Sequence, residues 1–292
     1  MQRSDFIKII ASGVVMGNIN PFYNWSKDLK EGDLKYPVLF IGHGSPMNAI
    51  EDNEFSKRWK KLGQEIPKPK AVVVVSAHWL TKGTHVTAMP NPKTIHDFGG
   101  FPKPLYEVQY KAPGAPQLAD EIKQMVSYPV IGLDHEWGLD HGTWSVVKHM
   151  YPNADIPIMQ LSIDYSKPTA YHYEVAKQLL ALRKKGVLII GSGNMVHNLR
   201  MVAWDKLLEP EYGFDWALEM NAVFKQKILL GNHDELINYE RLHREALKAI
   251  PSPDHYLPLI YSLALQDQND EISFFNDKAV GGSLTMTSVK IG

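Results

Sequence analysis

Four runs of near-continuous apolar residues punctuate the chain: PVLFI at Pro37–Ile41, AVVVV at Ala71–Val75, IPIMQL at Ile156–Leu161 and GVLII at Gly186–Ile190. Runs of this kind, without polar alternation, predict strands covered on both faces. Between and after them the apolar positions recur at helical spacing. Helices are expected over Glu54–Leu62 and over Pro116–Met125, the latter opened by a proline suited to a first turn. Others are expected over Thr169–Lys185, stopped by Gly186, and over Trp216–Leu230 and Glu240–Ile250. Strands alternating with helices predict a single α/β domain, with a central mostly parallel or mixed sheet flanked by helices. Two stretches break the alternation. Residues 84–115 carry prolines, glycines and aromatics with little period and read as a long loop with short strands; loops of that length are usually functional. The second is IGLDHEWGLDHGTWS, residues 131–145.

Residues 1–30 stand apart. Arg3 and Lys8 flank an apolar run, Ile9–Met16, that is too short to span a bilayer, and no clear cleavage site follows. The segment is similar to a twin-arginine export leader with one arginine missing, and equally reads as a plain N-terminal extension. No repeat or linker divides residues 31–292, which are expected to form one domain.

A net charge of −1 gives no sign of nucleic acid or of an anionic membrane as partner, and suits a small neutral or zwitterionic substrate. Cysteine is absent, which excludes disulfides, iron–sulfur sites and thiol catalysis together. Any metal must be held by His, Asp or Glu. His43, His78 and His197 follow three of the predicted strands, in GHGSP, SAHW and GSGNMVH. Open α/β sheets bind ligands at the carboxyl ends of their strands. Three histidines delivered there predict one shared metal site, since histidine is the usual ligand of zinc and ferrous iron.

Each motif alone has a plainer reading. The glycines around His43 suit a tight turn. Gly191-Ser192-Gly193 resembles a phosphate cradle but lacks a nucleotide-binding spacing. His135 and His141 sit beside aspartates in the second irregular stretch, as acid–base groups or as parts of a polar loop packed by Trp137 and Trp144. His255 is a ligand or a helix cap, with Asp254 an equal candidate. His96 lies in the long loop, within reach of a substrate. His85, His149, His172, His233 and His243 read as surface or packing residues.

Taken together, GHGSP at 42–46, SAHW at 76–79, DFGGF at 97–101, DHGTW at 140–144 and NMVHN at 194–198 resemble the class III extradiol ring-cleavage dioxygenases, closest to the 4,5-DOPA dioxygenase extradiol group. The similarity runs from about Pro37 to the C-terminus. It implies a catalytic domain over residues 31–292, with one divalent ion, Zn(2+) or Fe(2+), held by His43, His78 and His255. It places His197 near the metal as a fourth ligand or catalytic base, and His141 in the pocket facing substrate or oxygen. Ser45, His96 and His135 are the candidates for substrate contact. Many relatives use two histidines and a carboxylate; a third histidine leaves the ion more cationic and better suited to zinc. The implied reaction is opening of a DOPA-like catechol by O2 to a muconic semialdehyde. His197 would take the phenolic proton and His141 would stabilise charge developing on oxygen. The rivals are a zinc-dependent hydrolase working through a metal-activated water, and a non-enzymatic binding protein of the same fold. The family implies a cytoplasmic monomer or homodimer without a membrane span, while the leader-like segment points to periplasmic export.

Overall fold

The computed structural model describes residues 34–292 except 208 and 210, so the leader-like segment lies outside the described residues. All four apolar runs are strands. In chain order the strands are β1 (Val38–Gly42), β2 (Ala71–Thr81), β3 (His85–Thr87), β4 (Gly132–Asp134), β5 (Ile158–Asp164), β6 (Val187–Gly193), β7 (Ile272–Phe275), β8 (Ala279–Val280), β9 (Leu284–Thr285) and β10 (Ser288–Ile291). Eight of them form one sheet in the order β4-β3-β5-β2-β6-β1-β10-β7, and β8 pairs with β9 separately. The central four, β5-β2-β6-β1, are mutually parallel; β3 and β10 join them antiparallel. The sheet is therefore mixed.

Alternation of side chains along each buried strand feeds two cores. Val38, Phe40, Val73 and Ile189 face one, while Leu39, Ile41, Val74 and Ile190 face the other. A fully buried side chain of this size contributes about 1.5–3 kcal/mol, which is why apolar residues dominate these runs; the one polar side chain in them, Gln160, is buried but hydrogen-bonded to Asp140.

The helices are α1 (Glu54–Glu65), α2 (Lys103–Tyr106), α3 (Pro116–Met125), α4 (His141–Met150), α5 (Thr169–Lys177), α6 (Asp215–Leu229), α7 (His233–Ile237), α8 (Ala246–Ala249) and α9 (Leu257–Leu263). Trp59 and Leu62 of α1 and Trp144 and Val147 of α4 cover one face of the sheet. α3, α5, α6 and α9 cover the other through residues such as Leu118, Val175, Phe224 and Ile260. α1 starts where expected, because Asn53 and Ser56 form a reciprocal capping box.

Several expectations need correction. The helix over Thr169–Lys185 stops at Lys177, and Leu180–Lys185 is a tighter 3₁₀ segment ended by Gly186 at φ +84°. That segment turns Arg183 inward, onto the carbonyls of Tyr36 and Leu265 and the carboxylate of Asp270. The expected helix over Glu240–Ile250 is a 3₁₀ turn at Tyr239–Arg241 followed by the single turn of α8. Residues 131–145, which break the alternation in sequence, hold β4 and the first half of α4. The 84–115 stretch holds β3 and α2 within its loop.

Two register pairs set the site. Gly42 of β1 pairs with Gly193 of β6, and Ser76 of β2 pairs with Ser192 of β6. Parallel strands in this register deliver the residues that follow them side by side at one sheet edge. Among the described residues no helix is long and apolar enough to cross a membrane.

Candidate metal centre

His43 leaves β1 directly, its N–H bonded to the carbonyl of Gly193 at 3.0 Å. His78 lies where the β2–β5 register slips between Val75 and Leu80; an irregularity of this kind re-aims a side chain at a sheet edge. His141 is the first residue of α4. The capping carboxylate of Asp140 accepts from the N–H of Thr143 (3.1 Å), Ser76 Oγ (2.7 Å) and Gln160 Nε2 (2.6 Å). His255 precedes α9, and its carbonyl accepts from the N–H of Asn194 at 2.9 Å. His197 ends the turn after β6, its N–H bonded to the carbonyl of Ala249 at 2.9 Å.

Two glycines permit this convergence. A Cβ on Gly193 would stand 2.1 Å from the carbonyl oxygen of His255. One on Gly142 would stand 2.6 Å from Ser76 Oγ and 2.9 Å from His78 Cδ2. Gly193 is thus a close-approach residue for the His255 segment and not part of a phosphate cradle.

The five rings form one cluster. Centroid separations are 5.0 Å for His43–His78, 5.3 Å for His43–His255 and 5.0 Å for His78–His255. His141 lies 3.9 Å from His78 and 5.6 Å from His43. His197 stacks on His255 at 3.6 Å with 7° between the planes.

The Nδ1 atoms of His43, His141 and His255 are hydrogen-bonded from outside the cluster, and that of His78 faces a carboxylate. Ser192 Oγ donates to the carbonyl of Gly142 at 2.5 Å, so it accepts from His43 Nδ1–H at 3.0 Å. Asp97 Oδ2 lies 2.9 Å from His141 Nδ1 and 3.4 Å from His78 Nδ1. Asp254 takes Nδ1 of His255. Nε2 is left as the free nitrogen of each ring. His43 Nε2 and His78 Nε2 face one another at 3.1 Å. Two unprotonated nitrogens at that distance repel, unless a cation lies in front of both. Two nitrogens bound at 2.0–2.1 Å to one tetrahedral or octahedral ion stand roughly 2.9–3.4 Å apart. The donor set therefore fits a divalent metal. The ligand nitrogens of His43, His78 and His141 all lie within 4.8 Å of one another.

Electrostatics agree. Burial, reinforced by His255, His141 and His197, holds His43 well below its ordinary value of 6.5. Burial, with His141 and His43, does the same to His78. These rings stay neutral, as metal ligation requires. Burial pushes His197 down to about 3; His255 adds to the effect and Asp254 opposes it. Burial pushes the Asp97 carboxyl up, but the hydrogen bonds and charge of His141 outweigh it and hold the group below its ordinary value.

The structure thus brings together His43, His78, His141, His197 and His255. Ser45 is an exposed 3₁₀ cap, its hydroxyl accepting from the N–H of Met47. His96 lies one ring behind the cluster: its Nε2 bonds the carbonyl of Val108, and its ring meets Phe98 and Trp144. His135 is an exposed residue after β4. Asp97, Asp140 and Ser192 escaped the residue-by-residue reading; only the DFGGF and DHGTW motifs and the glycine run around Ser192 signalled them.

Residues 37–285 match the family model described as the catalytic LigB subunit of aromatic ring-opening dioxygenase. The chain belongs to this family. It is similar to the 4,5-DOPA dioxygenase extradiol of Escherichia coli K12, 47% identical over 270 residues covering 91% of this chain and 98% of that one. The 4,5-DOPA dioxygenase extradiol of Beta vulgaris is 34% identical over 87% of this chain and 95% of its own. A crystal structure of an uncharacterized Escherichia coli K12 protein superposes with a TM-score of 0.77 at 42% identity, covering 88% of this chain and all of the other. As a LigB member the protein is an oxidoreductase of the extradiol ring-cleavage class.

Proposed function

We propose that the enzyme opens the ring of a DOPA-like catechol with O2, giving a muconic semialdehyde, at a divalent metal held by His43, His78 and His255. What supports the metal most directly is the 3.1 Å approach of two Nε2 atoms whose rings each have Nδ1 facing a partner outside the cluster. What supports His255 as third ligand is the near-equilateral triangle of 5.0, 5.3 and 5.0 Å. Three imidazoles on one tetrahedral ion place their centroids roughly 5.2 Å apart. His141, only 3.9 Å from His78, departs from that triangle. The convergence of its nitrogen with those of His43 and His78 favours the second reading, in which it is the third ligand. Zinc or iron content of His255→Ala and His141→Ala separates the two: loss in the first and retention in the second supports the assignment.

When bound, the metal supplies positive charge that acidifies a catechol hydroxyl and, as ferrous iron, the redox chemistry that O2 requires. The chain's own residues do the rest. Burial keeps His197 neutral at neutral pH, and Asp254, which opposes that effect, would offset the charge of the ring when it takes the phenolic proton. His141 sits at the start of α4 with Nδ1 tied to Asp97, leaving Nε2 to meet charge that develops on oxygen. The names of the E. coli and Beta vulgaris relatives favour DOPA as the substrate class. Oxygen uptake by protein loaded anaerobically with Fe(II) or Zn(II), then given DOPA or plain catechol in air, tests the proposal. Uptake with a new yellow absorbance in the iron form alone is the expected result. Ester or amide hydrolysis by the zinc form, without oxygen uptake by either, would replace it with a zinc-hydrolase reading.

A further inference from the structure

We propose that Asp97 is a positioning residue that sets the tautomers of His78 and His141 together, keeping the gap between His43 and His78 open for a cation. The inference rests on the metal-centre reading above. Asp97 lies between β3 and α2, in a segment without regular structure that is nonetheless pinned on both sides. Ile95 is hydrogen-bonded to the 139–144 stretch, its N–H to the carbonyl of Leu139 at 2.7 Å and its carbonyl accepting from Trp144 Nε1 at 2.8 Å. The Phe98 ring stands edge-on to His141 at 5.5 Å. Held this way, the carboxylate receives two N–H groups of His141 and stands against the His78 ring. Oδ1 takes the backbone N–H of His141 at 2.9 Å; Oδ2 takes its Nδ1 at 2.9 Å and faces Nδ1 of His78 at 3.4 Å. An ionised carboxylate only accepts. His141 must then carry its proton on Nδ1, and the negative charge 3.4 Å from Nδ1 of His78 favours the same tautomer there.

The alternative shows why this matters. If His78 carried its proton on Nε2, it would donate across the 3.1 Å gap to His43 Nε2. That hydrogen bond has good length and would occupy the position a metal needs. Ser192 cannot prevent it, because it fixes only His43, and does so as the acceptor tautomer that such a bond requires. The negative charge facing His78 Nδ1 is the feature on that ring that disfavours the closed form. Removing the charge should let the metal-free site close on itself.

Metal-free protein labelled with ¹⁵N-histidine reports each ring's tautomer by long-range proton–nitrogen NMR, and competition with a chromophoric chelator reports Zn(II) affinity. In the wild type, His78 and His141 should both be Nδ1–H. Asp97→Asn, close in shape but uncharged, should shift His78 to Nε2–H and weaken zinc binding 10- to 100-fold, the range typical for removing such a partner. Asp97→Glu should recover part of the loss. A wild-type His78 already protonated on Nε2 would overturn the proposal without any variant. So would an Asp97→Asn protein of unchanged melting temperature that keeps the wild-type tautomers or binds zinc within twofold of wild type. Failure of the wild type to bind zinc would instead sink the metal-centre reading, while the tautomers would still judge Asp97.

Discussion

Replacing Ser192 by alanine deletes one buried oxygen with two partners, His43 Nδ1 at 3.0 Å and the carbonyl of Gly142 at 2.5 Å. The carbonyl has a second lone pair and sits in the first turn of α4, so it tolerates losing one donor. The His43 N–H does not, because the ring is 2% exposed and Nδ1 has no other partner. A buried donor left without an acceptor costs about 1–3 kcal/mol. For a chain of this length that is a fall in melting temperature of roughly 2–8 °C. The ring has one escape: it can move its proton to Nε2 and donate to His78 across the 3.1 Å gap. Escape by that route recovers stability and sacrifices metal binding. Urea unfolding in excess chelator and zinc competition therefore belong together as one assay. The expected result is a loss of stability, a loss of zinc affinity of tenfold or more, or both. A variant within about 0.5 kcal/mol of wild type, the range of a neutral surface change, and with unaltered zinc affinity would refute the tautomer argument for the whole centre.

Three further outcomes are expected. His197→Ala, loaded with iron, should bind metal normally yet lose turnover; near-normal rates would remove His197 as the base. Gly142→Ala places a methyl 2.6 Å from Ser76 Oγ and 2.9 Å from His78 Cδ2; overpacking of about 1–3 kcal/mol should appear in thermal melts, with weaker zinc binding because His78 must move. His172, fully buried against Tyr261, is pushed by burial from 6.5 down to about 4. The unfolded imidazole takes up its proton near 6.5 and the folded one only near 4. Stability is thus complete above pH 6.5 and should drain away by about 3 kcal/mol as pH falls to 4. His172→Gln should flatten that part of the stability–pH curve, and an unchanged slope would show that other groups carry it.

Much of the framework was legible along the chain. The four apolar runs are the parallel strands at the centre of the sheet, because strands buried on both faces are built mainly of apolar residues and so write themselves as near-continuous runs. The short strands β7 to β10 were not legible: they are two to four residues long, and β7 is only partly buried, so no periodicity marks them. α4 was hidden for a different reason. Its sequence, HGTWSVVKHM, is buried nearly all round, so it lacks the polar face by which an amphipathic helix is recognised.

The same division runs through the site. Histidines after three strands were visible as a pattern, since parallel strands in one sheet deliver the residues that follow them to one edge. Which nitrogen each ring offers was not visible. That choice belongs to groups far away in the chain: Ser192 for His43, 149 residues on, and Asp97 for His141, 44 residues back. The identity of a residue states what it is able to bond, but a tautomer is settled by whichever partner stands opposite the ring. Only the packing of β6 beside β1, and of the 84–115 stretch over α4, puts those partners there.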